Sequence, residues 1–189
     1  MRVIAGKSKG TRLSSFKGNA IRPTLDRVKE SLFNQISPFI KGASFLDLFA
    51  GTGSIGIEAM SRNASDVVFV EDNPNAQDLV YSNLKKCRLI NESSNNWQLI
   101  KLGAHQAIEL LEKKQNSFDL VYVDPPFEKE IYDSCLLKLA NSQILKKSSL
   151  VLVEHFHKNA LLENYDRIQL QNKRRLGDTC ISLFGLNIS

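Results

Sequence analysis

The sequence predicts an α/β fold whose mostly parallel sheet ends in an antiparallel hairpin. Between Ser44 and Phe156, short apolar runs typical of buried strands alternate with stretches of helical periodicity, which is the pattern of successive βαβ units. The first apolar run passes through a glycine-rich turn directly into a helix. The tail departs from this alternation, because Asp166 to Leu170 and Cys180 to Leu186 are two β-like runs joined by a short loop. We therefore expect a sheet that helices cover on both faces.

Length and composition bound the class of protein. The 189 residues are 42% hydrophobic and 24% charged, so we expect a single domain over 1–189, with an arm (1–20), a leading helix (21–41) and an α/β core (42–189). No apolar run is long enough to cross a membrane, and the N-terminus lacks the apolar stretch of a secretion signal. The three cysteines are scattered and share no metal-ligand spacing with the histidines. We expect a cytoplasmic protein without disulfides or a bound metal.

The positive charge is concentrated near the N-terminus. Residues 1–29 contain eight Lys or Arg and one acid, a local charge of +7, whereas the net charge of the whole chain is +5. A basic segment of this kind predicts an arm that contacts a phosphate backbone, and surface solvation is the competing explanation. The basic run Lys173 to Arg175 in the tail is open to the same two interpretations.

The remaining elements follow in chain order. Arg2 to Leu13 carries Gly6 and Gly10 between its β-branched residues, which predicts a small basic hairpin. Thr24 is the expected N-cap of the leading helix. Further strands are expected near residues 45–50, 66–71, 97–102, 117–123, 149–156, 166–170 and 180–186, and further helices near 54–62, 74–89, 104–113 and 130–140.

The stretch Ser44 to Glu58 predicts a cradle for a nucleotide cofactor. Gly51, Gly53 and Gly56 have the spacing of a dinucleotide-binding turn, with Ser54 as the expected helix N-cap. Glu71 follows about 20 residues later, at the position where an acid binds ribose hydroxyls. The glycine spacing alone does not distinguish one nucleotide cofactor from another.

Asp47 separates two candidate cofactors. Its carboxylate lies inside the predicted strand just before the turn, where it would repel a pyrophosphate but could hold a cation. S-adenosylmethionine carries an ammonium and a sulfonium and no phosphate, so the sequence favours it over a nicotinamide dinucleotide. The competing interpretation of Asp47 is a buried acid that only accepts hydrogen bonds from loop amides.

The most specific motif is Asp124-Pro125-Pro126-Phe127, at the end of the fourth predicted strand. Ligands of parallel sheets bind at the carboxyl ends of the strands, so we expect this loop beside Asp47. Two consecutive prolines predict a rigid turn whose carbonyls stay free to accept hydrogen bonds. The Asp124 carboxylate and the Pro125 carbonyl could hold both N–H bonds of a planar nucleobase amine, with Phe127 stacked on the base. The amine lone pair would then face a methyl donor.

These motifs carry a family resemblance. LDLFAGTGSIGIEAMSR, FVED and VDPPF resemble the motifs of Rossmann-like class I amino-methyltransferases that act on nucleic acid. RVIAGKSKGTRL and RPTLDRVKESLFN are similar to the N-terminal segments of the bacterial 16S rRNA guanine-N2 methyltransferases. The resemblance implies a seven-stranded sheet, S-adenosylmethionine as the methyl donor, and the N2 of guanine 966 of 16S rRNA as the acceptor. It also implies action within the small ribosomal subunit or its precursor, and we expect a monomer.

The same resemblance implies roles for individual residues. The expected target-base residues are Asp124, Pro125, Pro126 and Phe127. The expected cofactor contacts are Asp47, Phe49, Ala50, Gly51, Gly53, Glu71, Asp72, Gly103 and Ala104. The expected RNA contacts are Arg2, Lys7, Lys9, Arg12, Arg22, Thr24 and Arg27.

Gly103 departs from the family pattern. Many related enzymes place Asp or Asn there to bind the adenine amine, so the contact here falls to the Ala104 backbone or to another residue. Adenine-N6 methylation of DNA is the nearest rival function, and the short chain, without a DNA-recognition domain, weighs against it. A nicotinamide-dependent oxidoreductase, disfavoured by Asp47, and a non-catalytic RNA-binding assembly factor, which would leave the Asp124 loop unexplained, are two weaker candidate functions.

Overall fold

The computed structural model describes residues 1–16, 26–90, 96–126 and 129–187. Within these ranges, strands and helices follow the predicted alternation. The strands are β1 (Ser44–Asp47), β2 (Asp66–Val70), β3 (Trp97–Ile100), β4 (Phe118–Val123), β5 (Leu145–Phe156), β6 (Asn164–Tyr165), β7 (Ile168–Leu176) and β8 (Thr179–Leu186). The helices are α1 (Asp26–Gln35), α2 (Ser54–Ser61), α3 (Pro74–Lys86), α4 (Ala104–Lys113) and α5 (Lys129–Asn141).

The strands form one sheet in the order β3-β2-β1-β4-β5-β8-β7-β6. β1 pairs in parallel with both β2 and β4, whereas β8 pairs antiparallel with β5 and β7. The chain passes from β3 on one side of β1 to β4 on the other, so the strand order reverses between β1 and β4. Ligands of open α/β sheets bind at such a switch point, outside the carboxyl ends of the strands.

The predicted fold class is confirmed, and all seven expected strands are present. The two-residue β6 adds an eighth strand at the edge of the sheet. The prediction of a loop over Lys173 to Arg175 is wrong, because β7 continues to Leu176. The turn shortens to Gly177 and Asp178, since Gly177 adopts a φ of +69° that side-chain-bearing residues rarely tolerate.

Apolar side chains cover both faces of the sheet, as expected for parallel strands. Adjacent strand residues point to opposite faces, so Phe45 packs against the layer of α1, α2 and α3 while Leu46 packs against α4 and α5. The predicted stripe of the leading helix is buried in the first layer. Its expected N-cap, Thr24, lies outside the described residues. No helix in the described ranges is long and apolar enough to cross a bilayer.

The N-terminal arm, residues 1–16, folds back on itself and pairs its two ends, with the Val3 amide donating to the Thr11 carbonyl at 3.0 Å, but it lacks the regular strands of the predicted small hairpin. Its described residues contain one isolated antiparallel bridge, between Arg2 and Arg12. The arm packs against α2 instead, where the Ser61 hydroxyl donates a hydrogen bond of 2.6 Å to the Ala5 carbonyl. A Cβ atom at Gly6 would lie 1.8 Å from the Ser61 carbonyl oxygen, so this close approach requires glycine.

A buried ion pair joins the arm to α1 and α2. The Lys29 ammonium lies 3.2 Å from the Glu58 carboxylate, and both side chains are completely buried. Lys29 also donates to the Arg2 carbonyl at 2.6 Å, and Glu58 accepts hydrogen bonds from the backbone of Ile4 and Ala5 at 2.8 and 2.9 Å. Because each buried charge has several partners, the network holds the arm against the helix that follows the glycine turn.

Candidate active site

Asp47 is the last residue of β1, and its side chain is buried at the switch point. Its Oδ2 atom accepts a hydrogen bond of 2.9 Å from the Gly56 amide. Its Oδ1 atom is buried and has no hydrogen-bond partner among the residues that the structure describes. Burial, with a contribution from the negative charge of Glu71, raises the pKa of Asp47 to about 7, although the Gly56 hydrogen bond acts against this shift. The interpretation of Asp47 as an acid satisfied by loop amides therefore accounts for one carboxylate oxygen only.

The glycine turn that follows β1 is open at Gly51. Gly51 and Gly53 adopt φ values of +54° and +78°. A Cβ atom built at Gly51 would have no heavy atom within 4 Å, so the turn is open at this position. At Gly56 a Cβ atom would lie 2.2 Å from the Phe69 ring, because α2 packs closely on β2. These glycines thus have different roles, with Gly51 opening the turn and Gly56 permitting helix packing.

The prediction that Ser54 caps α2 is wrong. Gly53 occupies the N-cap position, and no side chain caps the helix there. Ser54 is the first residue of the helix, and its hydroxyl accepts a hydrogen bond of 3.2 Å from Lys29. The buried ammonium of Lys29 therefore contacts the first residue after the glycine turn.

Glu71 follows β2 and ties the glycine turn to that strand. Its Oε2 atom accepts a hydrogen bond of 2.7 Å from the Gly51 amide, and its Oε1 atom accepts one of 2.9 Å from the Asn73 amide. Burial is the largest cause of the raised pKa of Glu71, and these two hydrogen bonds oppose it. The helix α3 that follows is capped by the Asn73 side chain and not by Glu71. Each carboxylate oxygen retains lone-pair capacity for another donor.

The remaining expected cofactor positions lie at the ends of the neighbouring strands. Gly103 is the N-cap of α4 and Ala104 its first residue, just after β3. A Cβ atom at Gly103 would lie 3.9 Å from the Asp72 carboxylate, so these two positions face each other across the strand ends. Ala50 donates a backbone hydrogen bond of 2.9 Å to the Val70 carbonyl. Phe49 packs against the layer of α4 and α5.

The Asp124 loop begins where β4 ends, directly beside β1. The Leu48 amide donates a hydrogen bond of 3.0 Å to the Tyr122 carbonyl, which links the two strand ends. Pro125 is buried and Pro126 is exposed. The Tyr132 hydroxyl donates a long hydrogen bond of 3.4 Å to the Pro125 carbonyl, so the prediction of a free carbonyl is wrong. One lone pair of that oxygen remains available.

Glu154 is a site residue that the sequence reasoning missed. It lies in β5, is buried, and accepts a hydrogen bond of 2.7 Å from the Tyr122 hydroxyl. Burial and then the charges of Glu154 and Asp47 raise the pKa of Asp124 well above its usual range, and a hydrogen bond with Tyr122 opposes this shift. The signal was available, because Glu154 interrupts an apolar strand just as Asp47 does.

The described residues bring three of the predicted acids together. Glu71 raises the pKa of Asp47, and Asp47 raises that of Asp124, so the ends of β2, β1 and β4 share one electrostatic environment. Phe127 lies outside the described residues. No group of three metal-ligating side chains occurs within the described ranges.

The predicted RNA contacts lie mainly on the arm. Arg2, Lys7, Lys9 and Arg12 are exposed there, as is Arg27 on α1. Arg2 forms an ion pair of 3.3 Å with Asp26. The arm begins beside the glycine turn, since the Met1 sulfur lies 4.0 Å from the Thr52 hydroxyl. Arg22 and Thr24 lie outside the described residues.

Comparison with known sequences relates the chain to one family. The family model described as "Conserved hypothetical protein 95" matches residues 1–185. Ribosomal RNA small subunit methyltransferase D of Haemophilus influenzae is 37% identical over 163 residues, covering 82% of this chain and 78% of that protein. The Escherichia coli protein of the same name is 32% identical and covers 85% of this chain and 77% of that protein.

Comparison with solved structures supports the same relation. The methyltransferase fold of Escherichia coli yhhF superimposes with a TM-score of 0.84 at 28% identity, covering 100% of this chain and 99% of that one. SMU.776, described as "a putative methyltransferase complexed with SAH", superimposes with a TM-score of 0.68 over 84% of this chain and 48% of its own. At 14% identity, this second likeness concerns the fold alone.

Proposed function

This chain belongs to the family of ribosomal RNA small subunit methyltransferase D, and we propose that it transfers a methyl group from S-adenosylmethionine to the N2 amine of a guanine in 16S rRNA. One observation carries the proposal. Asp47 is the last residue of β1 and Asp124 directly follows the adjacent strand β4 at the switch point, and one oxygen of Asp47 is buried without a described partner. A cation donor and an amine acceptor therefore have neighbouring places to bind.

The residues around Asp47 suit S-adenosylmethionine. Asp47 Oδ1 accepts a hydrogen bond from a cationic amine, which would satisfy the one buried oxygen that lacks a partner. Gly51 leaves room for close approach, and Glu71 accepts from ribose hydroxyls. Gly103 and Ala104, with Asp72 nearby, lie where the adenine is expected. When bound, the cofactor supplies an electrophilic methyl group on its sulfonium.

The Asp124 loop holds the acceptor. An exocyclic amine of guanine is a poor nucleophile because its lone pair is conjugated with the ring. The Asp124 carboxylate and the remaining lone pair of the Pro125 carbonyl accept its two N–H bonds, which turns the lone pair toward the methyl donor. Asp124 must be ionised to accept a hydrogen bond from the guanine amine. Its negative charge also stabilises the positive charge that develops on the amine nitrogen during methyl transfer. Phe127 stacks on the base in this proposal.

The substrate is the small ribosomal subunit or its precursor. The relatives named for small-subunit rRNA support this choice, and guanine 966 is the position that the family resemblance implies. A guanine must leave its stack to reach a loop at the sheet edge, so an unpaired guanine costs least to bind. The exposed arm residues contact phosphates near the pocket.

Methyl transfer from labelled cofactor tests the proposal. Small subunits lacking the modification, naked 16S rRNA and duplex DNA serve as acceptors, and mapping identifies the methylated nucleotide. Asp119→Asn is the matched control for Asp124→Asn, because Asp119 lies on the same strand and pairs with Lys146 at 2.7 Å. We expect Asp124→Asn to lose at least 100-fold in rate (about 3 kcal/mol) and Asp119→Asn to keep its activity. Transfer only to DNA, or no binding of S-adenosylmethionine, would contradict the proposal.

A further inference from the structure

The β7–β8 hairpin presents a basic side chain on the face of the sheet that carries the candidate site. Arg174 pairs in register with Ile181, and Ile181 pairs in register with Glu154. Directly opposed residues of antiparallel strands point to the same face, so Arg174 shares a face with Glu154. Glu154 in turn shares that face with Tyr122, which donates to it at 2.7 Å.

The tip of this hairpin lies near the carboxyl ends of β4 and β5, the same end of the sheet as Asp124. β5 runs parallel to β4 and continues for three residues beyond Val153, the partner of Val123. These three residues pair with β8, which pairs with the end of β7. Since neighbouring strands are about 4.8 Å apart, Arg174 lies about 14 Å across the sheet from the line of β4.

Positive charge surrounds the hairpin tip. Lys173, Arg174 and Arg175 are exposed, and Arg174 forms no ion pair with any described residue. The guanidinium of Arg27 adjoins the turn, since a Cβ atom at Gly177 would lie 2.8 Å from its Nη2 atom. The exposed Arg27 and Arg174 thus flank the same end of the sheet from α1 and from β7.

We propose that Arg174, together with Arg27, binds the phosphate backbone of the RNA strand that flanks the target base. This inference rests on the proposed function. A guanidinium matches the geometry of a phosphate by donating two parallel hydrogen bonds. The arm and the hairpin then hold the RNA from two sides of the pocket.

Charged residues on an edge strand also prevent strand-to-strand aggregation, which is the competing explanation for this sequence. The two explanations differ in what they predict for RNA. If Arg174 serves only to prevent aggregation at the edge strand, replacing it with glutamine leaves the affinity for RNA unchanged. Phosphate contact requires a loss of affinity that depends on salt concentration.

The test compares Arg174→Gln with Lys114→Gln, in the full chain. Lys114 is an exposed cation at the C-terminal end of α4, shortly before β4 begins and therefore at the opposite end of that strand from Asp124. Binding of unmodified 16S rRNA is measured from 50 to 300 mM KCl, alongside S-adenosylmethionine affinity and melting temperature. We expect Arg174→Gln to lower the slope of log K against log salt by about 0.7, and Arg27→Gln with Arg174→Gln to lower it by about 1.4. Lys114→Gln keeps the parent slope.

Equal slopes for Arg174→Gln and Lys114→Gln would overturn the inference. Methyl transfer by the parent protein is scored separately with the same RNA. If the parent protein binds the RNA but does not methylate it, the proposed function is overturned, whereas the inference that Arg174 and Arg27 bind RNA phosphates is not. Absence of both binding and transfer would overturn both.

Discussion

The Tyr122 hydroxyl donates a hydrogen bond of 2.7 Å to the Glu154 carboxylate, and both side chains lie on the face of the sheet that α1, α2 and α3 cover. The two residues act on Asp124 in opposite directions. The charge of Glu154 raises the pKa of Asp124, whereas the hydrogen bond with Tyr122 lowers it. Tyr122 on β4 and Glu154 on β5 contact neither the cofactor nor the guanine in the proposal. They nevertheless influence whether the Asp124 carboxyl is protonated.

Substitution at this pair should move the pH profile of methyl transfer. Because Asp124 accepts only when ionised, the rate rises with pH through its pKa. Glu154→Gln removes the negative charge that raises this pKa, so we expect the acidic limb of the single-turnover rate to move to lower pH. Tyr122→Phe removes the opposing hydrogen bond, and the limb moves to higher pH. Shifts of both variants in the same direction would contradict this account.

Cofactor affinity should depend on pH through Asp47. With a pKa of about 7, Asp47 is largely protonated at pH 6 and ionised at pH 8. Since the cationic donor requires the ionised form, we expect S-adenosylmethionine to bind about tenfold more weakly at pH 6 than at pH 8. Calorimetry in buffers of different ionisation enthalpy should also detect proton release on binding. Asp47→Asn should bind weakly at both pH values, without this dependence.

The stability of the ligand-free protein should show the reverse trend. Asp47 keeps a proton in the native state up to a pH of about 7, whereas its unfolded pKa is about 3.9. The native state therefore binds more protons between these values, so the free energy of unfolding falls as pH rises, by up to about 4 kcal/mol. Below pH 4 both the native and the unfolded states keep the proton on Asp47, so Asp47 no longer makes the free energy of unfolding depend on pH. Urea titrations at pH 5 and pH 7.5 measure the difference, and Asp47→Asn should reduce it.

Two glycines should respond differently to alanine. Gly56→Ala places a methyl group against the Phe69 ring, where the Cβ distance would be 2.2 Å, and should cost about 1–3 kcal/mol of stability. Gly51→Ala meets no neighbouring atom, and its φ of +54° should cost only about 1 kcal/mol. It should nevertheless weaken cofactor binding more than Gly56→Ala does, because its methyl group enters the open turn. Thermal denaturation and calorimetry on the same samples separate the two effects.

The buried ion pair should be far more sensitive than an exposed one. Lys29→Met removes the ammonium partner of the completely buried Glu58 carboxylate, which keeps an ion pair of 2.8 Å with Arg62, and should cost about 1–3 kcal/mol. Lys138→Met is the matched control, because Lys138 pairs with Glu109 at 2.7 Å on the surface. We expect little change in its unfolding midpoint. A similar loss for both variants would show that burial of the Lys29 pair is not the cause.

The parts of the site that the sequence predicted are those that a local pattern encodes. Each of these features lies at the carboxyl end of a strand, namely Asp47 and the glycine turn at β1 and the Asp124 loop at β4. Because parallel strands place their carboxyl ends on the same side, the alternation of strands and helices is enough to bring them together. Glu154 could not be placed this way, because its role depends on β5 continuing past β4 to reach Asp124. The sequence shows that Glu154 follows an apolar run, but it does not show that Glu154 pairs with Tyr122.

The remaining differences arise from contacts between distant residues. Ser54 has the local features of a helix cap, yet the buried Lys29 engages its hydroxyl instead. The arm has the glycines of a hairpin and its two ends bond to each other, yet Glu58 and Ser61 bond the residues between them. Neither contact follows from residues near in sequence. The length of β7 likewise depends on pairing with β8, and β8 depends on the long β5.

The attachment of the arm has a consequence for the order in which a newly made chain folds. Ile4 and Ala5 leave the ribosome before their hydrogen-bond partner Glu58, which is 54 and 53 residues further along the chain. Ser8 bonds to the Cys87 carbonyl, 79 residues away. This basic segment of the nascent chain therefore stays without these partners until the chain has been synthesised past Cys87. During that interval it is exposed beside ribosomal RNA, the class of molecule that the finished protein is proposed to modify.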